Sequence, residues 1–265
     1  MFKDIKQVMK DSVLYGIGNV AVKLVGFILI PLYTDAEYFS TADYGLMGLL
    51  EVTSQILIAV MGLSLYSGLI RWYWDAEYRD KQKTIFFTTL LFTILTSLCI
   101  GSVLWLNVGE LSALLVQQEG YSLGGELPYI LQLLILTSML GAVVEVPQNL
   151  LRLQRKPIYY SLTNIVRLFV TLVLTIYFTI SLHRGVSGVY EAQLVGIVIQ
   201  LLMVLPLVIK NSSCRVDRKC TIQLLVYSYP LVFPAIVGSL LTVFDRYIIN
   251  HFQGLDDVGF YSLGY

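Results

Sequence analysis

Lys23, Glu51, Glu145, Arg167, Asp245 and Arg246 all lie inside long apolar runs. A charge at the centre of a bilayer costs about 2.5–3.5 kcal/mol on insertion scales, so such a residue needs a partner charge or a hydrated cavity. Helical spacing puts most of them on stripes. Asn19, Lys23, Gly26 and Ile30 share one face, as do Gly48, Glu51, Gln55 and Gly62. Ser138, Gly141, Glu145 and Gln148 align, and so do Tyr160, Asn164, Arg167, Thr171 and Thr175. Gly238, Thr242 and Asp245 form a fifth stripe, with Arg246 beside it. One arrangement consistent with this pattern is structural: Lys23 pairs with Glu51 or Glu145, Arg167 pairs with another acid, and small polar residues drive helix association. The other is a water-filled interior, which five stripes together favour. On that reading Lys23 and Arg167 line the cavity near mid-bilayer, with Asn19, Asn164 and Glu51. Glu145, Asp245 and Arg246 are then gating or interfacial groups, and Arg246 can also snorkel outward. Pro230 and Pro234, four residues apart, each remove a backbone donor and kink their helix, as a hinge or as a static bend.

These residues need membrane helices to hold them. The chain has 265 residues, of which 56% are hydrophobic and only 14% charged, against about a quarter charged in an ordinary soluble domain. Apolar periodicity predicts seven spans, at about 12–33, 44–70, 84–106, 128–150, 158–181, 189–209 and 224–251. The fold class expected is therefore all-α, a polytopic transmembrane helix bundle. Spans three and six carry little polarity and read as lipid-facing or packing helices.

Basic residues alternate between loops. The lead and the loops after spans two, four and six hold fourteen of the 18 lysines and arginines. The opposite loops hold Arg184 alone, together with acids such as Asp35, Glu37, Glu110 and Glu126. The positive-inside rule then places the N-terminus in the cytoplasm, with the chain multi-pass in the cytoplasmic (inner) membrane.

A weak repeat runs through the chain. Tyr38, Asp43, Tyr44, Gly45 and Leu46 are matched in character by Phe252, Asp257, Val258, Gly259 and Phe260, 214 residues on. Internal repeats are common in transporters. The repeat divides the chain into a lobe at 1–223, holding six spans, and the first helix of a second lobe at 224–265. The expectation is an N-terminal portion of a longer protein.

Soluble catalytic chemistry is not legible. There is no phosphate-binding P-loop, and His183 and His251 sit singly at span ends. Asp256 and Asp257 read as a solvated turn. Cys99, Cys214 and Cys220 lack metal-ligand spacing, and the last two, in the cytoplasm, are expected as free thiols. An enzyme, a metal site, a cofactor and a nucleic-acid partner are all not expected.

Three features resemble polysaccharide and lipid-linked oligosaccharide flippases of the multidrug/oligosaccharidyl-lipid/polysaccharide (MOP) exporter superfamily. The first is Lys23 before Gly26 and Phe27, followed by Pro31. The second is the Asp43, Tyr44, Gly45 connection. The third runs from Tyr229, Pro230, Leu231 and Pro234 through Asp245 and Arg246 to Gly259, Tyr261 and Ser262. The resemblance implies a bundle of twelve to fourteen helices in two lobes. It implies flipping of an undecaprenyl-pyrophosphate-linked glycan by alternating access, with Lys23 and Arg167 toward pyrophosphate or acidic sugar. The implied partners are that lipid-linked glycan, membrane lipids and a polymerase or glycosyltransferase complex. A cation-coupled drug exporter of the same fold, which would favour acids in its cavity, and a non-transporting scaffold of glycan synthesis are the alternatives.

Overall fold

The computed structural model describes residues 27–115, 125–213 and 215–264. Asn19, Lys23 and Cys214 lie outside the described residues, and so does most of the first span, of which residues 27–33 are helical. The rest builds α1 (Thr41–Gly62), α2 (Leu65–Trp72), α3 (Gln82–Leu106), α4 (Val108–Leu115), α5 (Leu127–Leu153), α6 (Pro157–Ile176), α7 (Gly185–Asn211), α8 (Arg218–Phe252) and α9 (Leu255–Gly264). Among the described residues 6 helical stretches are long and apolar enough to cross a membrane.

Local chemistry sets several of these ends. Ser40 and Asp43 form a reciprocal capping box at the start of α1. Ser40 Oγ accepts from the Asp43 amide at 3.1 Å, and the Asp43 carboxylate accepts from the Ser40 amide at 2.9 Å. Pro157 opens α6 at a position whose amide has no intrahelical role. Asp217 caps α8 by accepting from the Lys219 and Cys220 amides at 2.9 and 3.3 Å.

The second span departs from its expected continuity. Leu63 and Ser64 take left-handed backbone (φ 45° and 50°) and break it into α1 and α2. Gly62 directly precedes the break, but neither residue in it is glycine and the apolar pattern runs through.

The bundle packs around α5, which touches α1, α3, α6 and α7. Two apolar clusters hold it. One joins Leu46, Leu49, Ile130, Leu134, Tyr190 and Leu255, and the other joins Leu69, Phe86, Leu150, Tyr160 and Leu224. The outward faces are apolar instead of charged. On α6, Ile158, Leu162, Ile165, Phe169 and Val173 are exposed at helical spacing, opposite the polar stripe. That pattern suits lipid as solvent.

α9 lies directly against α1, and the contact is reciprocal. A Cβ on Gly45 would stand 1.9 Å from the Leu255 carbonyl oxygen, and one on Gly259 would stand 2.4 Å from the Thr41 carbonyl oxygen. Thr41 and Leu255 are separated by the same 214 positions as the two glycines.

Candidate functional site

A cavity of about 640 Å³ opens between α1, α6, α7 and α8. Its charged and polar lining includes Glu51, Ser54 and Gln55 from α1, Asn164, Arg167 and Thr171 from α6, Gln193 from α7, Arg246 from α8 and Ser262 from α9. Tyr33, Tyr44 and Tyr190 supply aromatic walls. The α6 stripe thus divides. Asn164, Arg167 and Thr171 border the cavity, while Tyr160 and Thr175 are buried in helix packing.

Arg167 is held by a relay. Its Nη1 donates to Gln200 Oε1 at 3.1 Å, Gln200 Nε2 donates to Asn164 Oδ1 at 2.9 Å, and Asn164 Nδ2 donates to the Tyr160 carbonyl at 2.9 Å. Gln200 is 1% exposed and orients the guanidinium without neutralising it. No carboxylate pairs with Arg167 among the described residues. A half-buried guanidinium without an acid partner must face water or an anion. Gly196 makes the relay possible: a Cβ there would stand 2.1 Å from Thr171 Oγ1 and 3.2 Å from the Arg167 carbonyl oxygen, so α6 and α7 are in backbone contact.

Arg246 reaches inward, donating through Nη1 to the Gly48 carbonyl at 3.1 Å while bordering the same cavity. Its neighbour Asp245 turns away and accepts from the Tyr261 hydroxyl. Thr53 and Tyr247, 2.8 Å apart, add a further tie between α1 and α8.

The α5 stripe serves packing more than the cavity. Ser138 bonds Ser54 of α1 at 3.0 Å, and Gln148 donates to Thr163 of α6 at 2.9 Å. Glu145 stands apart, in a second cavity between α1, α2, α5 and α8. Pro230 and Pro234 both lie within continuous α8, and Pro234 borders that second cavity. His183 is stacked near Tyr38, ring centroids 6.3 Å apart.

Gln193 and Gln200 are residues that sequence reasoning missed. They lie seven apart with Gly196 between them, on one face of a largely apolar stretch of α7, and that spacing was the available signal.

Long apolar helices packed around a cationic, water-accessible cavity define a multi-pass membrane protein with the fold of MOP-superfamily exporters. The family model described as "Polysaccharide biosynthesis protein" matches residues 8–265, and the chain belongs to that family. A search of curated proteins gives no match. Among solved structures it is similar to a MATE in the straight conformation (16% identity, TM-score 0.72, covering 93% of this chain and 55% of that one). It is also similar to a MOP superfamily transporter from Pyrococcus furiosus described as having a binding pocket of reverse polarity (16% identity, TM-score 0.73, 93% and 55%). A third likeness is to an outward-facing multidrug resistance MATE family transporter (18% identity, TM-score 0.70, 97% and 58%). The chain spans little more than half the length of these structures.

Proposed function

We propose that the protein carries a lipid-linked oligosaccharide or polysaccharide precursor across the cytoplasmic membrane by alternating access, with its pyrophosphate or acidic sugars held in the cavity that Arg167 borders. The observation that carries this reading is Arg167 itself. It is oriented by the Gln200–Asn164 relay, and no acid among the described residues neutralises it. Guanidinium suits phosphate because it offers paired donors in a fixed plane. Arg246 adds a second guanidinium on the facing wall, and the aromatic walls suit sugar rings. Family membership in polysaccharide biosynthesis agrees with that cargo.

In this reading Lys23 and Asn19 extend the cationic wall, Glu51 limits how much negative charge is accepted, and Asp245, Pro230 and Pro234 govern the movement of α8. The bundle at 1–223 is one lobe, and 224–265 opens a second related by the reciprocal Gly45–Gly259 contact. The N-terminus is cytoplasmic, and polymerase or glycosyltransferase partners act on the two faces. The reading is tested in the native host, by deleting the gene and restoring it as wild type, Arg167→Ala or Arg167→Lys at matched membrane levels. One charge-assisted contact contributes about 1.5–3 kcal/mol, so Arg167→Ala should lower glycan export by roughly 10–100-fold. Lipid-linked precursor should accumulate on the inner leaflet, and lysine should rescue partly. Undiminished export by both variants refutes the reading. A drug exporter of the same fold predicts instead that Glu51→Gln removes export and that Arg167→Ala spares it.

A further inference from the structure

A third cavity, about 620 Å³, is a groove between the turn at 34–40 and the N-terminal parts of α1 and α9. It lies at the end of the bundle away from the basic loops. The second span starts here at α1 and runs toward Arg79, Lys81 and Lys83, and α8, which starts at Arg218, ends here. Tyr33, Tyr38, Phe39, Tyr44 and Phe260 line it. Five rings among twelve lining residues compare with 12% aromatic residues in the whole chain, so the groove is built of flat apolar faces.

Most of these rings are held in place. Phe39 is 3% exposed and meets Tyr33 edge-on with centroids 5.5 Å apart, and Tyr33 lies 6.2 Å from Tyr44. The turn that carries Tyr38 is fixed at both ends. Asp35 Oδ1 accepts from the Glu37 amide at 3.0 Å, and the Ser40–Asp43 capping box seats the chain on α1. Phe260, in contrast, borders the groove while 66% exposed. The charged residues of the lining are acids, Glu37 from the turn and Asp256 from α9, and both are exposed.

Rings beside carboxylates match the two sides of a sugar. The C–H face of a pyranose packs on an aromatic face, and its hydroxyls donate to carboxylates in short, charge-assisted bonds. The volume falls in the range of about 300–1,000 Å³ usual for small-molecule sites. Aromatic residues at a membrane–water boundary also form belts that face lipid. Here Tyr33 and Tyr44 border the Arg167 cavity as well, so the groove continues that cavity. Along this shared wall the charged lining changes from Arg167, Arg246 and Glu51 to Glu37 and Asp256 alone. A phosphate or uronate in the groove would meet like charge, which disfavours it there.

We propose that this groove is a separate saccharide subsite, which takes uncharged sugars of the cargo while the pyrophosphate stays in the Arg167 cavity. Phe260 and Tyr38 stack on sugar rings, and Glu37 and Asp256 accept sugar hydroxyls. The inference rests on the glycan reading above and adds a sorting of one molecule by charge, its anionic head beside arginines and its neutral units beside acids.

The test uses the purified protein in detergent with two probes. One is radiolabelled inorganic pyrophosphate, followed by equilibrium dialysis. The other is the oligosaccharide that mild acid releases from the host's lipid-linked precursor, with any acidic sugar carboxyl-reduced, followed by saturation-transfer NMR. Wild type should bind this saccharide with half-saturation at about 1 mM. Phe260→Ala and Asp256→Asn should each weaken it at least about fivefold, and Glu37→Gln about threefold. All three positions are exposed, and melting temperatures check that the variants fold. Phe252→Ala and Asp257→Asn remove an exposed ring and an exposed acid outside the lining, and should leave binding within about twofold. Arg167→Ala should lose pyrophosphate and keep the saccharide. Saccharide binding that the groove variants weaken and the controls spare upholds the subsite, whatever Arg167→Ala does to export. Pyrophosphate binding that needs Arg167, with saccharide binding absent or unchanged in all three groove variants, overturns the subsite and leaves the glycan reading standing. A groove that takes tetraethylammonium, which rings and acids can also cage, in place of the saccharide overturns it too.

Discussion

The Gly45–Gly259 crossing predicts a large effect from a single methyl group. In Gly45→Ala the new Cβ starts 1.9 Å from the Leu255 carbonyl oxygen, with the Gly259 amide nitrogen at 2.9 Å. Reaching even 3.0 Å requires α1 and α9 to part locally by about 1.1 Å. The obstacle is backbone, so no rotamer change relieves it. Overpacking costs about 1–3 kcal/mol, and a rigid obstacle places this case near the upper end. For a domain of this size each kcal/mol moves the melting temperature by about 2–4 °C, so a loss of roughly 6–12 °C is expected. Thermal aggregation of the detergent-solubilised protein, followed by size-exclusion chromatography, reads it out. Gly109→Ala is the control, because a Cβ there meets nothing within 4 Å and alanine improves helix propensity. Gly259→Ala, whose Cβ would stand 2.4 Å from the Thr41 carbonyl, should repeat the loss, and the double variant should cost less than the sum because both act on one contact. If Gly45→Ala and Gly109→Ala melt within 2 °C or so of each other, the close approach of α1 and α9 is wrong.

Other consequences follow from the same geometry. Gln200→Leu removes the partner of both Arg167 Nη1 and Asn164 Oδ1 and should cost about 1–3 kcal/mol, while Gln200→Glu should pair with Arg167 and impair anion uptake more than it impairs folding, checked by melting and export side by side. Gly196→Ala drives a methyl to 2.1 Å from Thr171 Oγ1 and should shift α6 outward, lowering stability and export together. In a cysteine-free background, an impermeant maleimide added to intact cells should label Glu126→Cys and spare Arg155→Cys until the membrane is opened, and the reverse result would invert the topology.

The helices were legible because a bilayer leaves little choice. Stretches expected at 84–106 and 128–150 form α3 at Gln82–Leu106 and α5 at Leu127–Leu153, so every end falls within a few residues of its expected place. Backbone groups in lipid must bond within their own segment, so hydropathy and length nearly determine the element. The break at Leu63–Ser64 was not legible, because the two residues that take left-handed backbone are not glycine, the adjacent Gly62 is one of many glycines in the apolar spans, and the contacts of α2 with α3, α5 and α8 exist only in the fold. Gln200 escaped notice for a related reason: one amide in an apolar helix looks incidental until its partner on another helix is known.

Stripes alone could not say which polar residues pack and which face water, and the structure separates them by partner. Ser138, Thr53 and the Nε2 of Gln148 each find a neutral hydroxyl on a neighbouring helix, as suits a dry interface, and only Gln148 Oε1 among these is buried without a partner among the described residues. Arg167 and Glu145 find no opposite charge among the described residues, and the cost of leaving a charge dry is far larger than that of a neutral group. Both border cavities, Arg167 with Glu51 and Arg246 in one and Glu145 in the other. Gln55 stands between the two spaces, and its replacement therefore distinguishes coupled from independent sites. If the Glu145 cavity acts on the Arg167 cavity through α1, Glu145→Gln should change glycan export in the wild-type background and change it less in a Gln55→Ala background. Independent sites would leave the effect of Glu145→Gln the same in both backgrounds.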